Sequence, residues 1–120
     1  MFAKEGISME TELRPHLKIR LFREEKCFGP GVAELMRRVE RLHSLRAAAR
    51  SMDMAYSKAW TTVRSCEAAL GFQLLDYSAG GRNGGGAVLT AEGKDILERY
   101  TAYCEAVNRE AGRLFSEYFE

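Results

Sequence analysis

The chain has 120 residues and a mass of 13.5 kDa, the length of one domain, and its 46% hydrophobic and 29% charged residues exclude a disordered or fibrous protein. The longest strictly apolar run is three residues, as in 47–49, which excludes a membrane-spanning helix. The first fourteen residues carry five charges and no apolar stretch, so we expect no signal peptide, no membrane partner and a cytoplasmic location.

The cysteines and the charge distribution narrow the class further. Cys27, Cys66 and Cys104 are an odd number, lie 39 and 38 residues apart, and form no ligand motif, so we expect free thiols and no metal site. The net charge is only +1, but residues 37–64 hold seven Lys or Arg against two acids. Such clustering is typical of a face that meets a polyanion; the alternative is a set of solvated helix faces.

The N-terminal segment predicts a strand. From Leu17 to Leu21 apolar residues alternate with Lys18 and Arg20, the two-residue period of a half-buried strand. The segment runs to Phe28, and the Gly-Pro-Gly at 29–31 then breaks it.

Three helices are predicted next. Apolar residues at helical spacing indicate the first over 32–43, and Ser44 is placed to cap a short second helix over 45–52. The third extends from 55 or 56 to 70, and Gly71 ends it.

A hairpin and a long helix complete the pattern. Residues 73–78 and 87–89 read as strands joined by a glycine-rich loop, and Thr90 caps a last helix that reaches about Phe119. Its apolar residues recur every three or four positions on a helix too long for this domain, which indicates pairing with a second copy, unless the stripe packs on its own domain. The predicted dimer residues are Ile96, Tyr100, Tyr103, Val107, Leu114 and Tyr118.

This order predicts a mainly α fold with a small β component, a winged helix-turn-helix with an N-terminal strand. We expect an N-terminal tail over 1–15, a DNA-binding domain over 16–90 and a dimerisation helix over 91–120. The third helix of the chain would enter the DNA major groove, and the glycine loop would approach phosphates or the minor groove. The predicted DNA-binding residues are Ser44, Arg46, Tyr56, Ser57, Lys58, Thr61, Thr62, Arg64, Gly81, Arg82 and Asn83.

Three segments resemble the N-terminal DNA-binding domain of the ModE family of molybdate-responsive regulators, a branch related to LysR-type winged helices. They are S-L-R-A-A-A-R at 44–50, M-A-Y-S-K-A-W at 54–60 and the wing G-G-R-N-G-G-G-A-V-L-T at 80–90. The resemblance covers roughly residues 16–105. It implies a homodimer joined through the long helix that represses or activates genes of molybdate uptake or molybdenum-cofactor use.

Two departures from that family shape the expectations. Nothing in the 120 residues resembles the family's molybdate-binding domains, so we expect no cofactor, and any oxyanion control would come from a separate oxyanion-binding protein. Ala55 stands where the family often has a capping serine. We expect a homodimer on a palindromic operator in double-stranded DNA, more readily a repressor than an activator.

Two other functional classes compete with this interpretation. His16 and His43 with the cysteines could form a catalytic pair, but no acid motif supports them, so we expect no enzyme. A protein-interaction adaptor on a winged-helix scaffold is the stronger rival, because the wing and the long helix could also bind protein. Steep salt dependence of duplex binding would separate DNA binding from it.

Overall fold

The computed structural model describes residues 12–77 and 86–120, and within them the fold is a mainly α winged helix-turn-helix, as predicted. From the first helix onward the elements follow the expected order of three helices, a hairpin and a last helix, and each of the two sheets is a two-stranded antiparallel pair. The elements are β1 (Leu21–Arg23), β2 (Glu25–Phe28), α1 (Pro30–Leu42), α2 (Leu45–Ser51), α3 (Tyr56–Leu70), β3 (Leu75–Asp76), β4 (Val88–Leu89) and α4 (Ala91–Phe119).

The N-terminal strand differs from the prediction. Residues 17–20 lie outside any strand, and the chain instead folds back on itself as a β1–β2 hairpin in which Phe22 pairs with Lys26. The turn is at Glu24, whose φ of 70° is unusual for a residue other than glycine. Because the turn has no glycine, proline or asparagine, the sequence pattern could not locate it.

The first two helices pack closely against each other. Pro30 occupies the first turn of α1, so the helix begins two residues before its predicted start. The Ser44 hydroxyl accepts a hydrogen bond from the Ala47 N–H at 3.0 Å, which confirms the predicted cap of α2. Ala48 and Ala49 are fully buried, and such small side chains let the two helices approach.

Helix α3 has the predicted bounds, and Ala59, Val63 and Cys66 form its buried row. Gly71 ends it with a φ of 90°. The Cys66 thiol donates a hydrogen bond to the Cys27 carbonyl of β2, which ties the N-terminal hairpin to the helix. Burial raises the pKa of this thiol to about 12.

The start of α3 is capped poorly, which gives a direct test of the helix boundary. Ala55 has the extended backbone of an N-cap residue but no side chain that could accept a hydrogen bond. We expect Ala55→Ser to raise the free energy of unfolding by about 1 kcal/mol in urea denaturation, because serine can bond a free N–H of the first turn. The matched control is Ala68→Ser at an exposed site within α3, where serine should be slightly destabilising. Equal effects of the two changes would contradict the cap.

The second hairpin is shorter than predicted. Among the described residues only Leu75–Asp76 and Val88–Leu89 pair in this hairpin, and the predicted loop between them lies mostly outside those residues. The strand leading into the hairpin is fixed to α3 by the buried Glu67 carboxylate, which accepts hydrogen bonds from the Leu74 and Leu75 N–H groups at 2.8 and 3.3 Å. These two bonds give the backbone N–H groups partners that the short β3–β4 strand pairing does not provide.

Helix α4 begins inside the domain and ends outside it. The Thr90 hydroxyl accepts from the Gly93 N–H at 2.9 Å, which confirms the predicted cap. Tyr100 packs edge-on against Phe28 with ring centroids 5.1 Å apart, and its hydroxyl donates to the Ile19 carbonyl at 2.7 Å. The far part of the helix makes the molecule 64 Å long.

None of the helices in the described segments has the length and apolar character needed to cross a membrane.

Candidate nucleic-acid interface

The exposed side of α3 lies opposite its buried row. At about 100° per residue, Ser57, Thr61 and Arg64 fall on one strip of the helix facing away from Ala59 and Val63. All three strip residues are exposed, while the two inner residues are fully buried. The strip presents two hydroxyls and one guanidinium, side chains that can bond base edges or phosphates.

Cation–aromatic contacts order one flank of α3, which we call the wing flank. The Arg46 guanidinium carbon lies 4.1 Å from the centroid of the Tyr56 ring, which links the first turn of α2 to the first turn of α3. Arg64 lies 5.4 Å from the Trp60 centroid, and the indole is 44% exposed. Arginine held over an aromatic face loses less freedom on binding DNA.

Buried groups beneath Arg64 orient it further. Its guanidinium is 3.8 Å from the Glu67 carboxylate, which itself holds the start of β3. Tyr77 packs beside these groups, and burial raises the pKa of its phenol to about 12. No described residue bonds the Tyr77 hydroxyl. Arg64 therefore belongs to the exposed strip of α3 and also contacts, through Glu67, the start of the second hairpin.

The other predicted DNA-binding residues fall into three groups. Lys58 is exposed beside the strip, whereas Thr62 is half-buried and lines a groove next to the N-terminal hairpin. The Ser44 hydroxyl is half-buried and occupied as the cap of α2. Gly81, Arg82 and Asn83 lie outside the described residues.

Part of the basic excess in residues 37–64 serves the fold instead of a surface. Arg37 and Arg38 both bond Glu34, and the hydrogen bond from Arg38 lowers the pKa of that carboxyl. Arg38 also donates to the Ser51 carbonyl at 2.7 Å, and Arg37 to the Thr101 hydroxyl at 2.9 Å. These two arginines join α1 to α2 and α4, so the cations free to meet a polyanion lie mainly on α2 and α3.

The residues of the predicted dimer stripe differ in how far they are buried. Tyr100 is inside the chain's own core, so it contributes no free surface. Ile96 and Val107 are half-buried, while Tyr103, Leu114 and Tyr118 are 53%, 41% and 76% exposed. Phe119, which the stripe did not include, is 66% exposed and stacks on Phe115. Exposed aromatic side chains gathered on one helix end are typical of an interaction surface.

One basic surface was not predicted from the sequence. Lys18, Arg20 and Lys26 of the N-terminal segment and hairpin line a groove beside α3, together with Lys58. The alternation of Lys18 and Arg20 was the only signal, and it indicated a strand edge rather than a surface shared with α3.

No group of three or more His, Cys, Asp or Glu side chains in residues 12–77 and 86–120 could hold a metal ion.

Comparison with known proteins connects this geometry to a family. Residues 33–94, more than half of the chain, match the model for the bacterial regulatory helix-turn-helix protein, lysR family. The chain is 35% identical over 68 residues to the molybdenum-pterin-binding protein MopB of Rhodobacter capsulatus, covering 57% of this chain and 25% of that protein. It is 28% identical over 71 residues to the transcriptional regulator ModE of Haemophilus influenzae, covering 59% of this chain and 28% of that protein.

The chain thus spans about a quarter of the length of these curated relatives. The match includes α2, the turn and the β3–β4 hairpin. It also includes α3, which carries the exposed strip of Ser57, Thr61 and Arg64. The helix-turn-helix is similar to the matched parts of MopB and ModE, and the chain belongs to the lysR family of bacterial regulatory helix-turn-helix proteins.

Proposed function

We propose that this regulatory helix-turn-helix protein reads a specific operator through α3 as a homodimer. The observation that carries the proposal is the exposed strip of Ser57, Thr61 and Arg64 opposite a fully buried row. An α-helix fits the major groove of B-DNA, about 12 Å wide, where every base pair displays a distinct pattern of donors and acceptors.

The chemistry of the strip fits base readout. Arginine can bond guanine through two parallel hydrogen bonds, and serine and threonine hydroxyls can both donate and accept. Arg46 and Lys58, at the two sides of the strip, would bond phosphates and so set the position of α3 without reading sequence. The Arg82 side chain of the wing is proposed for the same role.

The exposed end of α4 supports the paired state. A two-fold dimer through residues 91–120 would place two copies of the 16–90 domain on a palindromic site, with recognition helices about 34 Å or a multiple of it apart. Repression is the simplest action for such a dimer, since occupied DNA excludes polymerase. We place the protein in the cytoplasm.

The control of molybdate uptake or molybdenum-cofactor genes is proposed on the likeness to ModE and MopB alone. In this proposal a separate oxyanion-binding protein would supply the signal.

The test begins with selection of a preferred duplex from a random library, followed by binding of Ser57→Ala and Thr61→Ala. Each variant should lose about 1 to 3 kcal/mol on the selected duplex, because one base contact is removed, and much less on random DNA. Ser116→Ala, an exposed serine on α4, is the matched control and should change neither.

Equal losses on selected and random duplex would contradict a reading role for the strip. A wild-type protein that binds no duplex even at low ionic strength would contradict DNA binding altogether and favour the adaptor.

A further inference from the structure

The flank of α3 away from the wing is bounded by a groove of about 480 Å³ between the N-terminal hairpin, the start of α1 and α3 itself. Four cationic side chains line it: Lys18, Arg20, Lys26 and Lys58. Thr61 and Thr62 add hydroxyls. Aspartate and glutamate are absent from its lining in the described part of the chain. We call this the hairpin groove.

The cations of the hairpin groove are unpaired. None of the four lies within 4.0 Å of a carboxylate among residues 12–77 and 86–120, in contrast to Arg37 and Arg38 nearby on α1. Like charges gathered without counter-charges repel one another, and that repulsion is relieved by a bound anion.

The start of α1 adds to the positive potential. Gly29 caps α1 without a side-chain hydrogen bond, Pro30 has no N–H, and the first turn contains no acid. The free N–H groups of Gly31 and Val32 therefore stand at the positive end of the helix dipole, and both residues line the hairpin groove. Arg20 lies beside this end, since its Cγ is 3.2 Å from the position that a Cβ on Gly29 would take.

The hairpin is held in place relative to α3. The Cys66 thiol of α3 bonds the Cys27 carbonyl of β2, and the Tyr100 hydroxyl of α4 bonds the Ile19 carbonyl just before β1. Phe28, at the end of β2, is almost fully buried, with an exposed fraction of 1%. The cations are thus presented by an anchored element rather than by a loose tail.

The position of the hairpin groove relative to the recognition strip points to its partner. Thr61 belongs to both, and Lys58 lines the groove and lies beside the strip, so the groove opens next to the strip. A helix about 10 to 12 Å across fills the major groove, so each of its flanks faces one sugar–phosphate backbone. The wing flank faces one backbone, and the hairpin groove would face the other.

We infer that the hairpin groove binds backbone phosphates of the operator through Arg20, Lys26 and Lys58, as a second clamp opposite the wing. This inference rests on the proposed insertion of α3 into the major groove. It assigns to the N-terminal hairpin, which lies before the segment matched by the family model, a share of DNA affinity that is independent of sequence.

The experiment compares two variants of the full chain that lose the same charge. Arg20→Gln/Lys26→Gln removes two cations of the hairpin groove, and Arg109→Gln/Arg113→Gln removes two exposed cations on the far part of α4. Binding to the selected duplex and to random duplex is measured between 50 and 200 mM salt. The slope of log affinity against log salt falls by about 0.9 for each phosphate contact removed.

In a homodimer each subunit loses these contacts, so the hairpin variant should show a slope smaller by about 2 to 4, with equal losses on both duplexes, and the α4 variant should keep the wild-type slope. Phosphate ethylation interference should lose signals on one backbone of each half-site only. Thermal unfolding checks that both variants fold, and Lys26→Gln alone, with a slope change of about 2, replaces the double variant if it does not.

A hairpin variant with the wild-type slope, beside a wild type that binds with steep salt dependence, would overturn the second clamp and leave the proposed function intact. A wild type without salt-dependent duplex binding would overturn both.

Discussion

Replacing Leu114 and Tyr118 together with glutamate is expected to halve the mass of the protein in solution, from twice 13.5 kDa to 13.5 kDa. Both side chains are exposed on the part of α4 that projects from the domain, 41% and 76% respectively. In a dimer through this surface, two carboxylates on each helix would be buried against apolar side chains, which costs several kcal/mol when they are unpaired. Sedimentation equilibrium measures the change.

The same variant should bind its operator about 10² to 10⁴ times more weakly, because a monomer loses the effective concentration that links two half-sites. The matched control is Arg109→Gln/Ser116→Glu, which makes the same charge change on the opposite side of α4. A dimeric Leu114→Glu/Tyr118→Glu protein would show that the exposed aromatic end of α4 is not the pairing surface.

The second large effect is expected at Gly93. A Cβ at this position would lie 3.1 Å from the Leu74 carbonyl carbon and closer still to its oxygen, both backbone atoms. We expect Gly93→Ala to lower the free energy of unfolding by about 3 kcal/mol or more, because relief requires α4 to move away from the strand that enters the wing. Such a shift would also weaken the bond between the Thr90 hydroxyl and the Gly93 N–H.

Gly112→Ala provides the contrast within the same helix. Within the described residues, nothing beyond the local helix backbone lies within 4 Å of a Cβ built on Gly112, so the alanine should stabilise the protein by about 1 kcal/mol through its helix propensity. Urea denaturation of the two variants should therefore give changes of opposite sign. A Gly93→Ala protein as stable as the wild type would mean that α4 and the Leu74 segment are not in close contact.

Helical periodicity and local capping signals were enough to predict most of the fold. Ser44, Thr90 and Gly71 act as the predicted caps, because capping depends on a few adjacent residues. The row of Ala59, Val63 and Cys66 follows from a 3.6-residue period, so the outward strip of α3 could also be predicted.

Features that depend on distant residues could not be predicted in this way. A strand needs a partner, and here β1 begins only at Leu21 and pairs with β2. The turn that joins them is at Glu24 and lacks the usual turn residues. Tyr100 fits the apolar stripe of α4 by spacing, yet contact with Phe28 buries it in its own domain. The hairpin groove joins Lys26 to Lys58 across 32 positions of sequence, a proximity that no local pattern encodes.

The differing accessibility of the three cysteines offers a practical route to the quaternary structure. The reactive form of a cysteine is the thiolate, and the Cys66 thiol, with its pKa raised to about 12, remains protonated at neutral pH. Cys27 is buried as well, whereas Cys104 lies half-exposed on α4. A maleimide spin label should attach first at Cys104. Electron paramagnetic resonance could then measure the distance between the labels of two subunits without any engineered site.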